Sequence, residues 1–187
     1  MPQLWPGETV CILGAGPSLT GAIVGGIKDR ARVIAVNSSY RLAPWADLLY
    51  GCDYAWWHHY QPEFAGLKVT QDEKAAAEFG LLHVVSCDQP GLSSDPSRIH
   101  QGGNGGYQAI NLAVLLGAAK IILLGYDLHG GHWHGAHAGL NNPTPGNFQR
   151  WIPAYRTIQS TIPIINCTAG SALDAFPFMT LEAAFEH

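Results

Sequence analysis

The stretch Thr9-Val10-Cys11-Ile12-Leu13-Gly14-Ala15-Gly16-Pro17-Ser18-Leu19 decides how the chain folds. Its first five residues are an apolar run closed by a glycine. That is too short for a buried helix and right for a strand covered on both faces. Gly14 and Gly16 let the backbone turn tightly and approach a ligand closely. Pro17 and Ser18 suit a first helical turn, and the pattern predicts a helix over 17–28. Strand, glycine turn and helix form the opening unit of a parallel α/β sheet.

The same alternation continues outward. Strands are predicted at 32–36, 47–51, 81–87, 120–124 and 162–166. Helices are predicted at 72–79, at 105–116 with Asn104 as N-cap, at 148–159 with a break near Pro153, and at 179–186. No repeat or linker interrupts the pattern. Strands this continuously apolar, alternating with helices, imply an α/β fold: a single doubly wound, mostly parallel Rossmann-like sheet with helices on both faces. Residues 1–187 are read as one nucleotide-binding domain. Ligands of such sheets bind beyond the carboxyl ends of the strands.

Composition agrees with one domain. The chain has 187 residues, against roughly 100–200 per domain. Hydrophobic residues make up 47% and charged residues only 13%. Ten Lys and Arg against fourteen Asp and Glu give a net charge of −4. This speaks against general nucleic-acid binding, which needs a clustered basic face. Met1 to Pro6 offers neither the basic nor the apolar region of a signal peptide. No apolar run nears the roughly 20 residues of a membrane span. A cytoplasmic protein without a membrane span is expected. Cys11, Cys52, Cys87 and Cys167 form no CxxC pair and read as small buried hydrophobes. Low charge and six tryptophans are in keeping with a buried interface, so a homo-oligomer is expected.

The residues after each strand carry the chemistry. The first turn matches a dinucleotide fingerprint except that Leu19 replaces its third glycine. The second strand ends in Val36-Asn37-Ser38-Ser39, without the carboxylate that would hold a ribose. Both departures count against NAD and FAD. Asn37 can donate and accept, so it suits a ribose or base edge, or else caps a turn. Asp53 follows the third strand and suits a sugar hydroxyl, a metal or a turn. In the aromatic run Tyr54 to Tyr60, Trp56 and Trp57 read as core or interface before they read as a stacking platform. Gln101-Gly102-Gly103-Asn104-Gly105-Gly106-Tyr107 is a second glycine-rich turn at a helix start, suited to phosphate.

After Gly125-Tyr126-Asp127-Leu128 come His129, His132, His134 and His137 within nine positions. Three readings stand: a metal site, an acid–base loop with one functional histidine, and a solvated polar loop. The spacings match no familiar zinc pattern, and the flanking glycines point to a mobile flap. Acid–base chemistry therefore leads, and no metal ligand is assigned.

Together, the 14–19 turn, Val36-Asn37, Ala46-Asp47-Leu48 with Asp53, Gly105-Gly106-Tyr107-Gln108-Ala109 and the 120–127 strand end resemble a superfamily. It includes small bacterial CMP-sialic-acid-dependent sialyltransferases, flagellin-modifying nonulosonate transferases and archaeal 6-hydroxymethylpterin diphosphokinases. The resemblance spans roughly residues 8–185. It implies a nucleotide-dependent transferase, foremost a glycosyltransferase using a CMP-activated sugar as substrate and requiring no cofactor. Nucleotide-binding roles fall on Gly14, Gly16, Pro17, Ser18, Asn37, Asp53, Asn104, Gly105, Gly106 and Asp127. The general base falls on one of His134, His132 and His137, in that order. The segment after Asp127 is shorter than the transferases' lid, leaving Tyr126 and Tyr155 as stand-ins for tyrosines that help the phosphate depart. One alternative is a pyrophosphokinase acting on a pterin-like alcohol with Mg-ATP, although Asp53 lacks a close second acid. Another is a nucleotide-binding protein without catalysis.

Overall fold

The computed structural model describes residues 2–187, so Met1, part of the N-terminal reading, lies outside them. Seven parallel strands form the central sheet. They are β1 (Thr9–Leu13), β2 (Arg32–Val36), β3 (Leu48–Tyr50), β4 (Leu67–Thr70), β5 (Leu82–His83), β8 (Lys120–Leu124) and β9 (Ile164–Asn166). A separate two-stranded parallel sheet pairs β6 (Val85–Cys87) with β7 (Arg98–His100). The helices are α1 (Gly21–Gly25), α2 (Tyr54–Tyr60), α3 (Glu73–Phe79), α4 (Gly105–Leu115), α5 (Pro145–Tyr155) and α6 (Leu181–Glu186).

The main sheet runs β5-β4-β3-β2-β1-β8-β9. The chain therefore starts in the middle, winds to one edge, and returns to wind the other way from β1. This is the doubly wound Rossmann-like arrangement, with its topological switch point between β1 and β8. Adjacent residues of β1 serve opposite faces. Val10 and Ile12 join a core closed by Tyr107, Ile110 and Leu112 of α4. Cys11 and Leu13 join a core closed by Val24 of α1, Trp56 and Trp57 of α2, and Ala184 of α6. Burial on both faces is why these strands show no polar alternation. Among the described residues, no helix is long and apolar enough to cross a membrane.

Several boundaries differ from expectation. The first helix starts at Gly21 rather than 17, because Thr20 takes the N-cap and accepts from the Ile23 N–H. Pro17 and Ser18 stay in the turn, where the Ser18 N–H and hydroxyl both donate to Asp127. The single strand expected over 81–87 is two. β5 pairs with β4, and the chain then crosses at buried Val84 to pair β6 with β7. Strands β4 and β7 and helix α2 escaped the sequence reading. The two strands are short and interrupted by Lys68 or flanked by Arg98 and His100. Helix α5 begins earlier than expected, at Pro145, behind a reciprocal cap between Thr144 and Asn147.

All four cysteines are free thiols. Cys11 is fully buried, and desolvation pushes its thiol up to about 12. The other three are partly buried.

Candidate functional site

At the carboxyl edge of the sheet, over the switch point, lies a cleft of about 630 Å³. The turn after β1 (Gly14 to Gly16), Asn37 after β2, Cys52 and Asp53 after β3, and the start of α4 all line it. The two glycine-rich turns thus face one cavity.

They contribute unequally. The Gly14 N–H donates to the Leu124 carbonyl and the Gly16 N–H to the Gly125 carbonyl. A Cβ on Gly14 would sit 2.5 Å from the Gly125 oxygen, and one on Gly16 1.9 Å from an Asp127 carboxylate oxygen. These glycines therefore permit loop-on-loop packing, where the sequence reading assigned them to close approach by a ligand. Ser18 and Asp127 do not line the cleft but are bonded to each other. Pro17 sits outside it too, beneath Gly130.

The start of α4 is better provided. Its first residues, Gly105 and Gly106, have N–H groups with no intrahelical carbonyl to meet. These amides and the helix dipole present partial positive charge at the cleft wall. Asn104 is the N-cap, accepting from the Tyr107 N–H at 3.0 Å and the Tyr155 hydroxyl at 2.8 Å. The Tyr126 hydroxyl donates to the Gly106 carbonyl at 3.0 Å. Both phenols are buried, and desolvation raises them far above an ordinary tyrosine. Tyr126 and Tyr155 therefore brace the helix start and are not free to assist a departing phosphate.

Asn37 has a left-handed backbone, with φ of 49°. Its amide oxygen is buried and, among the described residues, has no hydrogen-bond partner. It does not cap the 3-10 turn that it opens, whose N-cap is Val36. A buried unpaired acceptor lining a cleft is an incomplete site. Asp53 is exposed at the N-cap position of α2, accepts only from the Cys52 thiol at 3.3 Å, and also lines the cleft. The acid after β4, Asp72, is spent on the N–H groups of Ala75 and Tyr54.

The histidine loop closes the mouth. His132, His134 and His137 converge, one ring nitrogen from each lying within 4.8 Å of the others. The ring centroids are 5.0 Å apart for His132 and His134, and 4.7 Å for each of the other pairs. Burial lowers all three below an ordinary histidine. His137 is pushed furthest, to about 4, with repulsion from the other two rings, Arg41 and His59 adding to desolvation. Its Nδ1 meets the Tyr60 hydroxyl at 2.5 Å. His134 Nε2 is buried and has no partner among the described residues. His132 and His137 line the cleft. The fourth histidine, His129, also lines it but turns its Nε2 to the Gly170 carbonyl at 3.1 Å.

Several lining residues escaped the sequence reading, Gln108, Phe148 and Trp151 among them. Gln108, buried within α4, accepts from the Tyr50 hydroxyl at 2.9 Å and donates to the Gln71 side chain at 3.3 Å. A glutamine amid the apolar face of that helix was its available signal. Phe148 and Trp151, three apart on α5, meet edge to face. Their spacing marks a shared helix face, but not which surface that face meets.

No family model fits the chain, and neither a curated protein nor a solved structure matches it.

Proposed function

We propose that the cleft binds a nucleotide and that the chain is a nucleotide-dependent transferase, with a CMP-activated sugar as its donor. The observation that carries this reading is the pairing of two unsatisfied features across one cavity. The free N–H groups of Gly105 and Gly106 seek an anion, and the buried Asn37 oxygen seeks a donor. A nucleotide supplies both, through its phosphate and through a ribose hydroxyl or the exocyclic amine of its base. Phe148 and Trp151 add apolar ring faces to the same wall.

In this reading the phosphate lies on the first turn of α4, where the helix dipole stabilises the negative charge that grows as the sugar departs. The acceptor enters from the histidine side. The absence of a carboxylate after β2 disfavours NAD, whose ribose such an acid would hold.

Titration calorimetry with CMP, CDP, ATP and NAD, each with and without magnesium, tests the reading. CMP and CDP should bind without magnesium. Tight NAD binding, or binding of ATP alone and only with magnesium, would overturn it. The second outcome would favour pyrophosphoryl transfer, with Asp53 as the cation's contact. Binding of CMP without turnover of any CMP-sugar would leave a nucleotide-binding protein.

A further inference from the structure

We infer that His132, His134 and His137 form a site for one divalent transition-metal ion of the zinc type, with an open coordination position facing the cleft. Metal binding itself does not depend on the nucleotide reading.

Three imidazoles from six consecutive positions bring one nitrogen each to a common point, with no acid between them. Three ring nitrogens gathered this closely can share one cation. A zinc ion with Zn–N bonds of about 2.0–2.1 Å requires its nitrogens about 3.4 Å apart. The nitrogens lie within 4.8 Å of one another, so they must draw together by about 1.4 Å at most. Gly131 and Gly135 flank the first two of these histidines, and a Cβ at either would meet no atom within 4 Å, so no side-chain packing opposes the adjustment there.

The surroundings also suit a metal. Metal-bound histidines anchor their second ring nitrogen on an oxygen, which fixes the tautomer and aims the other nitrogen inward. Tyr60 meets His137 Nδ1 in this way, leaving Nε2 as the ligand atom. The Trp133 N–H, next to His132, donates to the Ala15 carbonyl at 3.0 Å and ties the loop to the turn after β1. His134 contributes the buried Nε2 that no group among the described residues satisfies. An unpartnered buried nitrogen within a cluster of potential ligands is the second, independent pointer to an ion.

Three protein ligands leave a tetrahedral ion one position short, the pattern of a reactive site. His132 and His137 line the cleft, so that position opens into it. Arg41 stacks its guanidinium 4.9 Å from the centre of the Tyr60 ring, beside this cluster. A metal cation next to Arg41 favours an anionic fourth ligand: hydroxide, carboxylate or a phosphate oxygen. If the transferase reading holds, the acceptor oxygen occupies that position.

The test uses the full chain, stripped with a chelator and dialysed. Zn²⁺ alone is titrated calorimetrically, and Co²⁺ alone by its visible absorption. One equivalent should bind per chain, and Co²⁺ should show the intense bands of a four-coordinate ion. His134→Gln and His137→Gln should each weaken Zn²⁺ binding by more than the about 10–100-fold that loss of an outer-shell partner costs. His129→Gln should leave it unchanged. Should the variants not fold, ring-proton NMR of the unaltered chain decides: Zn²⁺ must shift the signals of three histidines together. Absence of saturable binding, or stoichiometric binding that survives His134→Gln, would overturn the site. A parallel CMP titration of the metal-free protein reports on the nucleotide cleft separately, so either proposal can fail alone.

Discussion

Ser18 and Asp127, 109 positions apart in sequence, are joined by two hydrogen bonds. The Ser18 hydroxyl donates to one carboxylate oxygen of Asp127 at 2.9 Å and its N–H to the other at 3.2 Å. This clasp ties the turn after β1 to the turn after β8, the two strands that flank the switch point. Bonds to a charged group contribute about 1.5–3 kcal/mol, and a buried orphan costs about 1–3 kcal/mol. Ser18→Ala should therefore destabilise the fold by about 1–2 kcal/mol in urea unfolding. CMP affinity of the folded protein should not change. A loss of affinity without a loss of stability would return Ser18 to the ligand.

Gly16 tests the same clasp from its other side. An alanine Cβ would meet the Asp127 carboxylate at 1.9 Å and the Gly125 carbonyl at 2.7 Å. Neither is the loose end of a flexible chain, because the carboxylate is held by Ser18. Gly16→Ala should cost about 1–3 kcal/mol or more through forced displacement of the two loops. Gly131→Ala, in open space, should stay within about 0.5 kcal/mol of the unaltered protein. Thermal melts of the two variants side by side would decide it.

These contacts show where the sequence was legible. Strands β1, β2 and β8 could be read because each is five residues long and nearly all apolar, and each meets a turn. Helix α4 announced itself through Asn104 and a long apolar run. Helix α2 did not, because Tyr54 to Tyr60 is aromatic nearly throughout and hides which side chains point inward. Trp56 and Trp57 already read as core or interface, and the fold buries both while leaving His58 and His59 exposed. The cleft's location followed from strand order, but its division of labour did not. That the first turn spends its amides on neighbouring loops depends on contacts more than 100 positions distant. The convergence of the histidines is equally tertiary. Tyr60 reaches His137 from 77 positions away.

Asn37→Gly separates the amide from the backbone it sits on. Glycine accepts the φ of 49° without strain, so stability should be nearly unchanged. The buried carbonyl oxygen is removed, and with it the proposed contact to the nucleotide. CMP affinity should fall by about tenfold, corresponding to about 1.4 kcal/mol for a hydrogen bond made in a sheltered cleft. Unchanged affinity in calorimetry would remove Asn37 from the site.

Tyr60→Phe keeps the ring against Trp56 and under Arg41 while deleting the hydroxyl that meets His137 Nδ1. The His137 ring then loses the group that fixes its tautomer. Zn²⁺ affinity should drop about 10–100-fold, with one equivalent still bound. CMP binding should be unaffected. Competition against a chromogenic chelator would measure the change, and an unchanged affinity would mean that Tyr60 only packs against the loop.

Tyr155→Phe distinguishes bracing from catalysis. The Tyr155 hydroxyl is buried and donates to Asn104 at 2.8 Å, and Asn104 in turn caps α4 through the Tyr107 N–H. Burial raises the phenol well above its ordinary range, so it stays protonated through neutral pH and keeps its proton on Asn104. Removing it deletes one neutral hydrogen bond and leaves the cap in place, at a cost of about 0.5–1.5 kcal/mol in stability. The first turn of α4 keeps its free amides, so CMP should bind nearly as before. Any turnover of a CMP-sugar should fall only a few-fold, well short of the 10²–10⁴-fold or so expected for a group that transfers a proton in the transition state. A loss of that larger size, with stability preserved, would show that Tyr155 leaves Asn104 during the reaction and reaches the departing phosphate.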